Sequence, residues 1–188
     1  GWDLSWKSIQ ELVDTAIPLE ELNAITESVK TVEGIEDVHS FKSRQMGSKM
    51  VLEMHLQVRP YLSVSEGHYL GDTVVAKLLR EFDSIGHIIF HIDTENDDLG
   101  RSCSILPYRK EVTAEVDKLL TELAPDLTRQ NITLHYLHGK IEIDLFVTTK
   151  PSVAITMTAI ESMRLSERLN EKLDSRDWHQ HLNLWLAL

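Results

Sequence analysis

With 188 residues, 42% of them apolar, the chain is long enough for one medium domain or two small ones with real cores. A formal net charge of -11 argues against a nucleic-acid partner, which needs clustered Lys and Arg, and makes cations the easier ligand. Cys103 is the only cysteine, which excludes a disulfide framework and a thiolate zinc motif and suits a reducing compartment. No apolar run approaches the roughly 20 residues that cross a bilayer, and no signal-peptide pattern opens the chain, so a soluble polypeptide is expected.

Trp2, Trp6, Ile9 and Val13 recur at helical spacing before Pro18. That first helix either packs on its own domain or is the trailing end of something larger. Leu19, Leu22, Ile25, Val29 and Val32 mark one face of a second helix, and Gly34 stops it. A hairpin follows: residues 38–46 read as a strand, Gly47 and Ser48 as the turn, and residues 49–58 as the partner, in which Met50, Leu52, Met54, Leu56 and Val58 alternate. Ser63 and Glu66 have capping-box spacing and open a helix to residue 82, with Leu70, Val74, Leu78 and Phe82 as its core stripe. After Gly86, residues 87–93 form a short β-rich strand.

The order αββαβ then repeats. Residues 112–123 read as a helix, 131–137 and 140–147 as strands around His138 and Gly139, 154–173 as a helix and 178–186 as a strand. The Asp-, Asn- and Glu-rich residues 94–101 are the natural linker. The expected fold class is α+β, two copies of one unit with helices on one face of each small sheet. Aligning residues 49–58 with 138–147 puts Glu53 on Glu142 and His55 on Asp144; without gaps His91 falls on Asn183 and Asp93 on Trp185. The second copy therefore lacks the metal set.

Strand alternation gathers them. If Met50, Leu52, Met54 and Leu56 face the helices, then Val51, Glu53, His55 and Gln57 face away. If Ile88, Phe90 and Ile92 face the helices, then His87, Ile89, His91 and Asp93 face away. The helix-free face thus carries His55, His91 and Asp93, with His39 on the first strand and His68 near the start of a helix, each within reach of an edge. Imidazole nitrogens with a carboxylate suit Zn²⁺ and its neighbours Cd²⁺, Co²⁺, Mn²⁺ and Fe²⁺. The His91-x-Asp93 spacing alone is common by chance, and it is the convergence with His55 that carries the metal reading. His87 shares the face toward the strand's start. His135 and His138 flank a turn and His179 and His181 share a strand; with no carboxylate facing them, both pairs read as solvated surface. A sheet with helices on one side must also cover its other face, and dimerisation through metal does so.

The segments Gly34-Ile35-Glu36-Asp37-Val38-His39, Arg44-Gln45-Met46-Gly47, Leu52-Glu53-Met54-His55-Leu56, Ser65-Glu66-Gly67-His68 and Ile88-Ile89-Phe90-His91-Ile92-Asp93 resemble the cytoplasmic C-terminal domain of cation diffusion facilitator transporters, the bacterial ferrous-iron and zinc efflux pumps among them. The likeness spans residues 9–93. It implies a ferredoxin-like, metallochaperone-like fold that forms a V-shaped homodimer below the membrane. It also implies a binuclear zinc site at the dimer interface held by His39, His55, His68, His91 and Asp93, with Asp93 as the bridge. Residues 1–17 then correspond to the end of a membrane-linker helix, 18–98 to the metal-binding domain and 99–188 to a second ferredoxin-like repeat without ligands. The transport site and its proton-coupled antiport steps would lie in a transmembrane part outside this chain, with the domain on the cytoplasmic side of a bacterial inner membrane. Cytosolic metal would draw two such domains together and bias the transporter, provided that metal prefers the closed arrangement. Histidine ligands compete with protons, so such affinity falls below about pH 6.5. The alternative is a soluble tandem sensor that binds a metabolite between its repeats. An enzyme ranks third, because no nucleophile-base pair or phosphate loop is visible.

Overall fold

The computed structural model describes residues 1, 2, 5, 17–95, 106–150 and 157–186. Trp6, Ile9 and Val13 of the expected first helix, Cys103, and residues 96–101 of the expected linker lie outside them. The chain divides into two units, Gly1–Asp98 and Leu99–Leu188. The first contains α1 (Leu19–Lys30), β1 (Ile35–Met46), β2 (Lys49–Val58), α2 (Val64–Glu81) and β3 (Ile85–Asp93). The second contains α3 (Arg109–Leu123), β4 (Leu127–Leu137), β5 (Lys140–Thr149), α4 (Ala159–Leu173) and β6 (His179–Leu186). Each unit is therefore α+β in the αββαβ order. No helix among the described residues is long and apolar enough to cross a membrane.

In the first unit the β1–β2 hairpin is antiparallel and β2 pairs parallel with β3, leaving β2 central. A parallel pair needs a crossover, and α2 supplies it. Leu52, Met54 and Leu56 alternate along β2 with no exposed surface and meet Ile25 and Val29 of α1 and Val74 and Leu78 of α2 in one core. Burying each such side chain contributes about 1.5–3 kcal/mol, which places both helices on this side of the sheet. Ser63 starts α2 by accepting the Glu66 amide at 3.2 Å. Gly71 lets α2 settle onto β3: a Cβ there would lie 2.1 Å from the Phe90 ring.

A bulge interrupts the regular alternation of β1. His39 pairs with His55, but the next aligned pair is Lys42 with Glu53, so β1 carries one extra residue between them. Ser40 takes the positive φ of 53° that this bulge needs. Val38 and Phe41 consequently both pack on the core, while His39 and Lys42 both meet partners from the open face of β2.

The second unit repeats the arrangement, with Ile141, Ile143, Leu145 and Val147 of β5 fully buried. Its second helix begins at Ala159, where Thr158 and Glu161 form a complete capping box that sets the N-terminus; residues 154–156 of the expected helix lie outside the described residues. The edge of β6 is held by Asn170 of α4, whose side chain donates to the Leu182 carbonyl at 2.9 Å and accepts its amide at 2.8 Å. A register shift near Gln180 pairs His179 with Ile141 and His181 with Glu142. His179 is therefore not the solvated residue expected but is buried, its Nδ1 3.3 Å from Asp174 Oδ1 and its Nε2 without a hydrogen-bond partner among the described residues.

Burial holds the His179 imidazole below its ordinary pKa, Asp174 opposing that shift and His181 and Lys140 adding to it. The unfolded chain then takes the proton more readily than the folded one, so stability present above the ordinary imidazole value of about 6.5 is lost as pH falls. Urea unfolding followed by tryptophan fluorescence should show the second unit weakening between about pH 7 and pH 5, and His179→Leu should flatten that dependence. An unchanged pH profile in the variant would remove His179 as the cause.

Candidate metal centre

Three strands deliver the centre. His39 from β1, His55 from β2 and Asp93 at the end of β3 bring one ligand-type atom each within 4.8 Å of one another. Asp93 Oδ2 lies 2.7 Å from His55 Nδ1 and 3.3 Å from His39 Nε2. All three side chains are largely sheltered, at 12% exposure for His39, 13% for Asp93 and 26% for His55. His39 leaves its other nitrogen, Nδ1, buried with no hydrogen-bond partner among the described residues. His91 stacks on His55 with ring centroids 4.6 Å apart, and His39 tilts against His55 at 5.5 Å. These contacts set the imidazoles in a row across the open face, the outermost, His91, half exposed.

The donor set fits a divalent transition ion. Two imidazole nitrogens and a carboxylate oxygen converge, a hydrogen bond joining His55 Nδ1 and Asp93 Oδ2, and such mixed N/O sets serve Zn²⁺, Co²⁺, Fe²⁺ and Mn²⁺ once the bridging proton is lost. A second group, Glu53, His55 and His91, also has ligand-type atoms within 4.8 Å. Glu53 was expected on this face but not as a member of the set. His68 is not brought to it. Its Nε2 lies 3.6 Å from Asp72 Oδ2 on α2, and its ring packs on Phe90, on the helix side of the sheet. His87 pairs with Val51, is exposed and stands apart from both groups.

The second unit shows what the same positions become without ligands. Its register places Thr133 opposite Asp144, Asn183 beside Asp144 and Trp185 beside Phe146, where the first unit has His39, His55, His91 and Asp93 in the matching places. Asp144 meets three side chains: Asn183 Nδ2 and Trp185 Nε1 each donate to Oδ1 at 3.0 Å, and His135 Nε2 lies 3.3 Å from Oδ2. His135 thus faces a carboxylate that alternation alone did not reveal, and is sheltered rather than solvated. Burial by itself raises the Asp144 carboxyl, but the bonds from Trp185, Asn183 and His135 outweigh it and hold the group below the usual carboxylate range.

Residues 17–95 match the family model described as "Cation efflux protein, cytoplasmic domain". Metal tolerance protein C1 of Arabidopsis thaliana is 31% identical over 166 residues, covering 82% of this chain and 35% of that protein. The cation-efflux pump FieF of Escherichia coli O1:K1 / APEC is 28% identical over 104 residues, covering 55% of this chain and 32% of the pump. Among solved structures, a manganese form of a MamM CTD variant aligns at 23% identity and a TM-score of 0.39, covering 42% of this chain and all of that one. Residues 17–95 therefore belong to the cation efflux protein cytoplasmic domains, the cation diffusion facilitator domain that the motifs resemble. The chain spans about a quarter to a third of the length of the curated relatives it matches. Because 82% of the chain exceeds either unit, the likeness to the plant protein continues from one unit into the other.

Removing the hub of the ligand-free network tests its role. Asp144→Ala should destabilise the second unit by about 0.5–1.5 kcal/mol, since it removes the acceptor shared by Asn183 and Trp185 and the partner of the sheltered His135. Chemical denaturation measures that loss, while calorimetric titration with Zn²⁺ should be unchanged from wild type.

Proposed function

We propose that this chain is the regulatory metal-binding and dimerisation part of a divalent-cation efflux transporter, acting on the cytoplasmic side of a cell membrane. The observation that carries the reading is the cluster of His39, His55 and Asp93 on the open face of a sheet whose residues 17–95 match the efflux-protein domain. The names of the relatives, a metal tolerance protein and a cation-efflux pump, support the transporter class over a metabolite sensor or an enzyme. Transport itself, as proton-coupled antiport, belongs to the membrane-spanning part of such a protein.

Each residue has a role that its place in the sheet explains. His39, His55 and Asp93 would hold one ion, with Asp93 Oδ2 already between the two imidazoles. His91, beside His55 and half exposed, is available to a second ion shared through Asp93. His68 lies on the helix side of its own sheet, so it would join that second ion only from another copy of the chain. A divalent ion supplies charge neutralisation and a cross-link; the protein supplies rigid strands that keep the donors converged. Ligands split between copies make metal binding and dimer closure one equilibrium, because the ion then prefers the closed arrangement by the contacts that only that arrangement offers.

Calorimetric titration of the purified chain with Zn²⁺, beside a variant combining His55→Ala, His91→Ala and Asp93→Ala, tests the site. Tight binding by wild type that disappears in the variant is the expected result, with light scattering reporting a metal-dependent dimer in wild type only. Equal binding by both proteins would place the ion elsewhere and sink the proposal.

A further inference from the structure

We propose that Glu53 is a direct ligand beside His91, and that Lys42 is a tethered cation that holds the Glu53 carboxylate until a divalent ion replaces it. This deepens the reading of the open face as a metal site and rests on it. Glu53 precedes His55 by two residues on β2 and so shares its face, and Glu53, His55 and His91 bring ligand-type atoms within 4.8 Å. His91 Nε2 and Glu53 Oε1 are 3.9 Å apart. That is too long for a hydrogen bond, so the two groups converge without bonding each other. Two ligand atoms on one tetrahedral ion, each at about 2.0–2.2 Å, lie roughly 3.3 Å apart. His91 is 51% exposed, which leaves its ring free to close that difference by a small rotation.

The β1–β2 hairpin also places a cation beside Glu53. Its unbroken register from the Gly47-Ser48 turn brings Lys42 opposite Glu53, with Lys42 Nζ 3.5 Å from Glu53 Oε1. At 60% and 32% side-chain exposure this ion pair is screened by solvent and weakly held. An ammonium and a divalent ion repel each other at such distances, so an incoming ion displaces Lys42, whose flexible four-carbon stem lets it swing into water. Lys42 therefore sets the affinity of the Glu53–His91 position without touching the ion. With Asp93 and Glu53 both contributing oxygen, the pair of positions favours Mn²⁺, Fe²⁺, Co²⁺ and Zn²⁺ over soft monovalent copper.

Co²⁺ is the probe, because calorimetry counts its equivalents and its visible absorption reports each ligand field. Wild type should take up two ions per chain. Glu53→Gln should leave the first equivalent intact and weaken the second by about tenfold or more, the scale on which partners of metal ligands act. Lys42→Met should shift the second equivalent the opposite way, toward tighter binding, with both variants matching wild type in circular dichroism and metal-free unfolding. An unchanged second equivalent in Glu53→Gln, or weaker binding in Lys42→Met, overturns the proposal while leaving the His39–His55–Asp93 site standing. No uptake of Co²⁺ by wild type overturns the site itself and this inference with it.

Discussion

A single oxygen, Oδ2 of Asp93, draws together side chains from all three strands of the first sheet. It reaches His55 directly and His39 one strand beyond, and His91 is stacked against His55 from Asp93's own strand. Such convergence is possible only because β2 is the central strand. Its neighbours present their residues on both sides of His55, and the buried run of Leu52, Met54 and Leu56 keeps His55 pointed away from the helices. The hydrophobic core on one face thus dictates the chemistry on the other. A one-residue slip of β2 would turn its leucines into water and its histidine into the core, a cost that pins the register.

Comparison of the two units separates what the fold requires from what the site adds. Both keep the αββαβ order and the buried alternation on the central strand. On the open face they solve the same problem differently. The first unit leaves imidazoles converging on one carboxylate; the second turns the matching positions into Asp144 with its donors Asn183, Trp185 and His135. Those contacts hold the Asp144 carboxylate within its own network, with Asn183 and Trp185 standing where the first unit has His91 and Asp93. The likeness to the relative from Arabidopsis thaliana continues over both units.

Much of this was legible in the sequence. The period-two pattern from Met50 to Val58 assigned β2 and its faces correctly, and with them the shared face of His55, His91 and Asp93. The repeat also placed Asn183 and Trp185 opposite the second unit's central strand in the positions the register shows. Part of what escaped comes from the insertion of single residues that break alternation. The bulge at Ser40 carries neither Gly nor Asn to announce its positive φ, and it is what brings His39 rather than Ser40 opposite His55. The shift near Gln180 turned His179 inward, while the start of α4 at Ala159 is set by the Thr158–Glu161 box, a signal that the sequence carries. His68 differs in kind: helical position fixes which side of the sheet it occupies, and a contact with another copy leaves no trace in one chain's periodicity.

The central claim is that the open face of the first unit, and not that of the second, holds the metal. Anomalous X-ray scattering at the zinc edge, from crystals of the Zn²⁺-loaded chain, tests it most directly. The account predicts a peak among His39, His55 and Asp93, with nothing on the face that carries Asp144. A peak beside Asp144, or zinc held only by residues away from His39, His55 and Asp93, would contradict it.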